Sequence, residues 1–522
     1  MRDDEIQAPA PSRTELWLER AAGPEASQVH LWSRRDLLVL ALITILAGFL
    51  RLWHLGQWSF WIDEVHTIRE SVLMTVDQFW ETPQSRYPLG FLLLRWIQPW
   101  LPGVGEGHYR LLFAFFGIAS IPLAAVVFRP ALGPGKSLLT ALLLAVSPWH
   151  IYWSQSVRAY AIIVFLALGA YGAFRVGIEK GKGSWLFLAV VLAGLATLAH
   201  ASSLFLILAF LVFLLLVKQR WVVRPRHLDG KAVLAFLIPL VIIGVMALFS
   251  ETGNVAKIME SYSRAKGAGT LFHLFSTASF HMRVAFLVTA LFGGYLAMYL
   301  RDREGILILC VAVVPLIGVS LSTIFAKATA YYILYTLPFW SALAAIAIVE
   351  SAWAVQRQDW LKSLALLPLA VIIIDLGSQT YLYHTFRHGH RPQWRAAVEY
   401  LQGELRDGDV VASTNSVGIA YYLNPYDPQI GRVIRHHRRG GASVQILADW
   451  KRNELMESWV PAAAKSGKSV WLIFTEPEFE EADPDGTAKA FVQERFRLMR
   501  RYQCWVGPKD MTVYVYRFQQ KS

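Results

Sequence analysis

The stretch Trp58-Ser-Phe-Trp-Ile-Asp-Glu-Val-His-Thr67 sets two adjacent carboxylates, Asp63 and Glu64, among aromatic and apolar residues just past the first long apolar run. Trp and Tyr favour the membrane–water interface, because one end of the ring system is apolar and the other tolerates water. An acidic pair placed there sits at the lip of a bilayer, where a carboxylate is costly unless it has a partner or a task. A single carboxylate at this place also reads as a helix cap or a loop salt bridge. Neighbours on a helix point about 100° apart, so the two acids cannot both face one reactant. Asp63 is expected to address a site and Glu64 to support the loop, with His66 lining the same cavity. Basic groups complete the picture. Arg158 and Lys327 each sit in an otherwise uncharged turn between two apolar runs, and Arg86 lies in the same outer loop as the acids. Arg suits bidentate phosphate contacts and Lys a point-charge contact. Such a cation either snorkels to lipid headgroups or binds a specific anion. A carboxylate and several cations around one interfacial cavity point to a phosphate-bearing lipid whose headgroup undergoes chemistry.

The rest of the chain must hold those groups at a membrane surface. Its 522 residues are 55% hydrophobic and the mean hydropathy is positive. Runs of roughly 16–22 apolar residues predict about eleven spans, at 37–53, 109–128, 137–153, 160–178, 185–199, 202–217, 232–249, 284–300, 305–325, 331–349 and 361–381. The net charge of +12 does not indicate nucleic acid, because the basic residues fall mostly in short loops between spans. Loops with Arg34/Arg35, Arg129/Lys136, Arg175/Lys180/Lys182, Lys218 to Lys231, Arg301/Arg303 and Arg357/Lys362 alternate with loops poor in basic residues. The positive-inside tendency assigns them to the cytoplasm. The N-terminus is then cytoplasmic, and the Asp63/Glu64 loop and everything after Tyr381 are extracytoplasmic. Residues 1–36 read as a disordered cytoplasmic tail. The two cysteines, Cys310 in an apolar run and Cys504 near the C-terminus, do not suggest a disulfide.

Between the spans, residues 87–101 are apolar but short and contain Arg95 and two prolines. They predict an interfacial helix lying along the outer surface, with Pro88 in its first turn. Residues 253–279 form a second outer loop with a Gly-Ala-Gly middle, a lid or a connector. After residue 381 the pattern changes. Residues 392–406 predict an amphipathic helix, Asp407-Gly-Asp409 a turn, and 410–412, 469–475 and 511–518 strands, with helical stretches at 452–463 and 488–501. The alternation predicts a small α/β domain over 382–522, following a helical membrane domain over 37–381. It shows no Gly-rich phosphate loop and no zinc spacing; the run His436-His-Arg-Arg439 reads as a solvated loop, with metal or anion binding as the alternative.

Several segments together resemble a known family. Phe60-Trp-Ile-Asp-Glu-Val-His-Thr67 resembles the Leu-Asp-Glu motif in the first outer loop of GT-C-class membrane glycosyltransferases. The branch it resembles is that of the protein O-mannosyltransferases and the lipid A aminoarabinose transferase. Tyr87-Pro-Leu-Gly-Phe-Leu-Leu-Leu94 is similar to that branch's Pro-Pro-Leu-Tyr-Tyr-Leu-Leu segment. Arg110-Leu-Leu-Phe-Ala-Phe-Phe-Gly117 is similar to its Arg-Leu-Pro-Ser-Ala-Leu-Phe-Gly. Ser147-Pro-Trp-His-Ile-Tyr-Trp-Ser-Gln-Ser-Val-Arg-Ala-Tyr160 resembles Ser-Pro-Phe-His-Ile-Tyr-Tyr-Ser-Gln-Glu-Ala-Arg-Met-Tyr. Gln393-Trp-Arg-Ala-Ala-Val-Glu-Tyr-Leu401 with Asp407-Gly-Asp-Val410 resembles the extracytoplasmic domain. The likeness covers most of residues 36–425.

The resemblance implies a GT-C-like α-helical polytopic fold with a C-terminal extracytoplasmic α/β domain, in the inner cell membrane of the cell envelope. It implies sugar transfer from a polyprenyl-phosphate donor to a protein, lipid or glycan acceptor. The acidic motif falls on Asp63 and Glu64. The family's cation before proline falls near Arg86 and Tyr87; Tyr87 directly precedes Pro88, so a phosphate role moves to Arg86. Ser156 stands where the family pattern has Glu, while Arg158 and Tyr160 remain. The family's late Arg-Tyr is Ala330-Tyr331, with Lys327 one helical turn earlier as substitute. Donor phosphate is thus assigned to Arg86, Tyr87, Arg158 and Lys327, and Tyr160, Tyr331 and His66 to the cavity. A glycosyl phosphate carries its own leaving group, so no nucleotide cofactor is required. Asp63 serves as base, and one displacement at the anomeric carbon predicts inversion. A divalent metal is compatible with the carboxylates, but no further ligands are spaced near them. Two rival readings remain: a lipid or glycolipid transporter, for which Asp375 in the last span is the one mid-span acid, and a binding scaffold without catalysis.

Overall fold

The computed structural model describes residues 32–101, 103, 105–249, 271–324, 328–356, 366–425, 437–439, 442–447, 455–506 and 509–519. The expected N-terminal tail up to residue 31, most of the second outer loop, Lys327 and His436 lie outside the described residues. Among those described, five helices are long and apolar enough to cross a membrane: Glu106–Ala145, Tyr160–Lys180, Ala201–Lys218, Arg303–Ser322 and Ala330–Val355. A sixth arises if Leu271–Met282 and Val284–Tyr299, bent by 98° at Arg283, count as one span. Other predicted spans form helices that are shorter, as in the 17 residues of Gly183–Ala199, or that carry charge near both ends, as Arg34–Leu52 does with Asp36 and Arg51.

Two predicted segments differ in detail. The spans predicted at 109–128 and 137–153 lie along one helical run, Glu106–Ala145, interrupted at Gly133 by a φ of 74° that only glycine adopts at low cost. The second of them ends at Ala145, and Pro148 opens a separate short helix, Pro148–Ser154. Proline cannot continue the preceding ladder but fits a first turn.

The chain forms two compact units, one of Met1–Ala47, Ala119–Val146 and Ile163–Asp375, the other of Gly48–Ile118, Ser147–Ile162 and Leu376–Ser522. In the first unit, ion pairs join Asp36 to Arg129 at 3.3 Å, Arg175 to Glu304 at 2.9 Å, Glu179 to Arg303 at 2.7 Å, and Lys136 to Glu350. The basic partners come from loops that the charge rule assigns to one side, so these helix ends meet at one end of the unit. Asp375, the mid-span acid, is held by Arg283 through bonds of 3.0–3.1 Å to both carboxylate oxygens. It is occupied as a structural ion pair. Helices Val284–Tyr299 and Leu337–Gln356 pack so closely that a Cβ on Gly293 would lie 1.9 Å from the Leu343 carbonyl oxygen, a small-residue contact of the kind that joins helices in lipid.

The second unit holds a sheet beside the loops of the acidic motif. Its strands are β1 Val410–Ser413, β2 His437–Arg439, β3 Ala442–Leu447, β4 Val470–Thr475, β5 Phe496–Tyr502 and β8 Val513–Phe518, in the order β2-β3-β1-β4-β8-β5; β6 Trp505–Val506 and β7 Lys509–Asp510 make a separate ribbon. β1 runs parallel to β3 and β4, and β8 antiparallel to β4 and β5. β4 is buried along its whole length, as an apolar strand covered on both faces must be. The predicted helix at 488–501 is half right. It ends at Arg495, and Phe496–Tyr502 pairs with β8 as an edge strand whose charged residues are exposed. The predicted turn at Asp407-Gly-Asp409 places Gly408 at φ 80°. Buried Asp409 accepts from the Arg406 and Ser469 N–H groups and from the Trp471 indole, at 3.1, 2.9 and 3.1 Å, tying the starts of β1 and β4.

Gly293→Ala is expected to lower thermal stability in detergent by about 1–3 kcal/mol through overpacking. Gly194→Ala, where an added Cβ meets nothing within 4 Å, serves as the neutral control in the same melting assay.

Candidate active site

The acidic motif lies on a helix of seven residues, Ile62–Ile68. The Trp61 N–H donates to Glu64 Oε2 at 3.2 Å, closing the first turn from within. The helix widens into a π-turn at Arg69–Leu73, a local widening often found beside functional groups. The two adjacent carboxylates have opposite surroundings. Glu64 is wholly buried, whereas the Asp63 side chain is 39% exposed.

Glu64 is densely bonded. Arg110 donates through Nε to Oε1 at 2.9 Å and through Nη2 to Oε2 at 3.0 Å. Arg391 donates through Nε to Oε2 at 3.1 Å, and the Val157 N–H to Oε1 at 2.9 Å. The remaining Arg110 donors go to the carbonyls of Leu55, Trp58 and Ser59 at 2.8–3.1 Å. Burial pushes the Glu64 carboxyl up, and Arg110 and Arg391 more than reverse this, holding it below the usual carboxylate value. Glu64 is therefore an anion shared by two buried cations and not a group free to exchange protons with a substrate.

Asp63 faces a different set. Arg158 Nη2 lies 4.0 Å from Asp63 Oδ2, and its Nη1 donates to Thr67 Oγ1 at 3.2 Å. Thr67 in turn donates to the Asp63 carbonyl at 2.9 Å. Asp63, His66, Thr67 and Glu70 recur at helical spacing, so they share one face of this short element. His66 is half-buried; burial, and then the nearby Arg69, bring its imidazole from the ordinary 6.5 down to about 4, leaving it neutral at pH 7. Glu70 is buried and accepts from Arg69 at 2.7 Å, while its Oε2 has no hydrogen-bond partner among the described residues. Burial holds its carboxyl above the ordinary value despite Arg69.

The segment expected to lie along the membrane forms a 3-10 turn, Pro83–Arg86, a helix, Leu89–Ile97, and a second 3-10 turn, Gln98–Trp100. Nine residues cannot cross a bilayer, and Trp96 and Trp100 are 71% and 78% exposed. Arg95 donates to the carbonyls of Glu70 and Met74 at 2.9 and 2.8 Å, fastening this helix to the π-turn. Gly90 approaches Ala159 so closely that an added Cβ would lie 2.8 Å from the alanine Cβ. The helix thus packs against both the acidic element and the turn carrying Arg158.

Among the sequence-predicted residues, Asp63, His66 and Arg158 are brought together, with Glu64 directly behind. Arg86 is exposed and Tyr87 half-buried at the end of the first 3-10 turn. Tyr160 is buried and packs edge-on to Trp153, with centroids 4.4 Å apart. Tyr331 belongs to the other unit, in the 3-10 turn Ala330–Thr336 beside Tyr332. Lys327 lies outside the described residues. Sequence reasoning passed over Thr67, Glu70 and Arg391. The spacing of Thr67 and Glu70 from Asp63 was a readable signal; Arg391, 327 positions from Glu64, had none. Among the described residues, no group of three or more His, Cys, Asp and Glu side chains has metal-site geometry.

Comparisons agree with this architecture. Residues 86–246 match the family model described as dolichyl-phosphate-mannose-protein mannosyltransferase. The candidate mannosyltransferase YycA of Bacillus subtilis (strain 168) is 27% identical over 196 residues, which are 34% of this chain and 27% of YycA; the match thus spans about a quarter of that relative. The oligosaccharyltransferase of Archaeoglobus fulgidus in its apo form superposes with a TM-score of 0.56 at 14% identity, covering 86% of this chain and 70% of that one. ArnT of Cupriavidus metallidurans bound to undecaprenyl phosphate gives 0.52 at 13% identity, covering 93% and 98%. The Archaeoglobus enzyme AglB has also been seen with an inhibitory peptide and a dolichol-phosphate, at a TM-score of 0.55. The chain is a multi-pass membrane protein of the GT-C fold. It resembles the GT-C-class glycosyltransferases that use polyprenyl-phosphate-linked sugars.

Glu64→Gln is expected to destabilise the protein by about 3–5 kcal/mol, because two buried guanidiniums would face a neutral amide. Asp63→Asn is expected to stay within about 0.5 kcal/mol. Melting of both variants in detergent checks the contrast. Acidification should also destabilise the wild type. His66 and Glu64 both titrate lower in the folded state than in the unfolded one, so the unfolded chain binds more protons. The His66 contribution is complete above the ordinary 6.5 and is lost as pH falls toward about 4. The Glu64 contribution is lost below that. His66→Gln should flatten the upper part of the stability–pH curve.

Proposed function

We propose that the protein is a membrane glycosyltransferase that moves a sugar from a polyprenyl-phosphate donor to an acceptor hydroxyl on the extracytoplasmic face. The observation that carries this reading is the division of labour at the acidic motif. One carboxylate is sealed between two arginines, and its neighbour is left partly exposed beside a lone-turn arginine. The family model and the fold support a membrane glycosyltransferase.

Asp63 takes the proton of the acceptor hydroxyl as its oxygen attacks the anomeric carbon. The bond from that carbon to the phosphate oxygen breaks in the same displacement, and the configuration inverts. The polyprenyl phosphate leaves with added negative charge, which Arg158 meets as a bidentate donor. Arg86 and Tyr87 are assigned to the donor phosphate with Arg158; the sequence assigns Lys327 to the phosphate and Tyr331 to the cavity. His66, neutral at pH 7, offers a hydrogen bond without a competing charge, and Tyr160 closes the cavity. Glu64 supports the loop. The donor carries its own leaving group, so no cofactor enters the displacement. Residues 1–36 are cytoplasmic, 37–381 form the transmembrane catalytic domain, and 382–522 form the extracytoplasmic α/β domain, in a cell inner membrane. The acceptor is a protein, lipid or glycan.

Purified protein in liposomes, given a polyprenyl-phosphate-linked sugar and cell-envelope acceptors, is expected to yield a glycosylated product. Asp63→Asn should lower kcat by on the order of 10²–10⁴-fold with an unchanged melting temperature. Arg158→Gln should cost on the order of 10²-fold. Full activity in folded Asp63→Asn rejects the base assignment. Flux of labelled lipid across the bilayer with no product rejects the enzyme reading in favour of transport.

A further inference from the structure

Arg391 belongs to neither the acidic loop nor a membrane helix. It sits between the helix Leu367–Thr385 and the helix Trp394–Glu404, yet its side chain has no exposure. Its guanidinium reaches three separate stretches of chain. Nε donates to Glu64 Oε2 at 3.1 Å. Nη2 donates to the Gln155 carbonyl at 2.9 Å and to Ser156 Oγ at 2.6 Å. Nη1 donates to the Gly389 carbonyl at 2.8 Å and contacts Tyr383 Oη at 3.4 Å. Its face lies 4.6 Å from the Tyr152 ring centroid.

Glu64 and the Gln155–Ser156 turn are what Arg391 joins, and each is next in sequence to a reacting group. Asp63 precedes Glu64. Arg158 follows Val157, whose N–H also bonds Glu64. Moving the turn by an ångström would move Arg158 by about as much against Asp63, and such displacements of reacting groups cost about 10²-fold in rate. Gln155 is fixed from its other end as well: its Nε2 donates to the carbonyls of Arg51 and Trp53, and its Oε1 accepts from Tyr383 Oη.

Arg391 is in turn held from the C-terminal end of the chain. Its carbonyl accepts from Cys504 Sγ at 3.0 Å. Gln393 Nε2 donates to the Gln503 carbonyl at 2.6 Å. The Arg395 N–H donates to Ser59 Oγ at 3.1 Å, and its guanidinium pairs with Glu106 at 3.1 Å. The segment 391–395 is thus locked between the first outer loop and the chain just before the β6–β7 ribbon.

We propose that Arg391 is a positioning residue: by clamping Glu64 to the Gln155–Ser156 turn it sets the spacing of Asp63 and Arg158, and it makes the C-terminal domain a structural part of the site. This rests on the reading of Asp63 and Arg158 as the reacting pair. The groups facing Glu64 are Arg110 from the helix Glu106–Ala145, Arg391, and the N–H groups of Trp61 and Val157; Tyr152 and Tyr383 flank Arg391. Removing the Arg391 charge takes away one of the two cations that oppose the burial of Glu64, so the Glu64 carboxyl titrates higher. The acid limb of the rate profile then moves to higher pH, which a merely space-filling role would not produce.

The test uses the full chain in liposomes, as wild type, Arg391→Gln, Arg391→Lys and Ser156→Ala. kcat and KM for a polyprenyl-phosphate-linked sugar are measured across pH, and hydrogen exchange is followed at residues 62–68 and 155–158. Arg391→Gln is expected to lower kcat by at least about tenfold with KM changed by less than about twofold. Its acid limb should shift upward, and exchange at 155–158 should quicken. Arg391→Lys should restore the acid limb, because the charge returns, but not kcat, because one ammonium cannot span both arms of the clamp. Ser156→Ala removes one arm and remains informative if Arg391→Gln does not fold; it should lower kcat and quicken exchange at 155–158 to a smaller degree. Wild-type kcat, acid limb and exchange in folded Arg391→Gln overturn the proposal, as does a wild-type Ser156→Ala where Arg391→Gln does not fold. If the wild type transfers no sugar, the catalytic reading fails separately, and exchange alone judges the clamp: quickened exchange sustains it and unchanged exchange overturns it.

Discussion

A carboxylate removed from water needs compensation within a few ångströms, and in this protein Glu64 has it twice over. Two guanidiniums and two backbone N–H groups surround it. Each arginine, once buried, needs Glu64 as much as Glu64 needs it. Arg110 extends the network to the carbonyls of Leu55, Trp58 and Ser59, and Arg391 extends it to the turn before Arg158. One ion cluster therefore fixes the acidic-motif loop, the 155–158 turn and the segment around Arg391 against each other. A hydrophobic contact could bring these segments together, but it would not set their spacing, because it lacks direction.

That cluster explains why the neighbouring aspartate can be left partly exposed. A short helix presents consecutive residues to different surroundings, and here the inner position is saturated while the outer one meets Arg158, Thr67 and a neutral His66. The π-turn that follows brings Glu70 in behind and is fastened by Arg95 through two carbonyls. The result is a polar surface with one exposed acid and one half-exposed arginine on a rigid base, the arrangement that catalysis by positioned groups requires.

The membrane helices are held by other means. Ion pairs gather at the helix ends carrying Arg129, Lys136, Arg175 and Arg303. In the apolar middle, contact relies on small residues such as Gly293. Asp375, the mid-span acid, is bonded to Arg283 at the bend.

The chain alone determined its own solvent. Long apolar runs, basic loops on alternate turns and aromatic residues beside the acids follow from the cost of placing polar groups in hydrocarbon, a cost that acts residue by residue. The same local physics made β1, β4 and β8 legible, along with the Asp407-Gly-Asp409 turn and the resemblance carried by the segments around Asp63, Pro88, Arg110 and Arg158. Tertiary structure decided what periodicity could not. Phe496–Tyr502 became a strand because β8 offered it an edge. The run after residue 136 broke at Pro148 because the motif there turns back toward the acidic loop, where its Val157 N–H meets Glu64. Arg391 found Glu64 across 327 positions; nothing local marks such a partner, because a buried charge selects whichever opposite charge the fold brings within bonding distance.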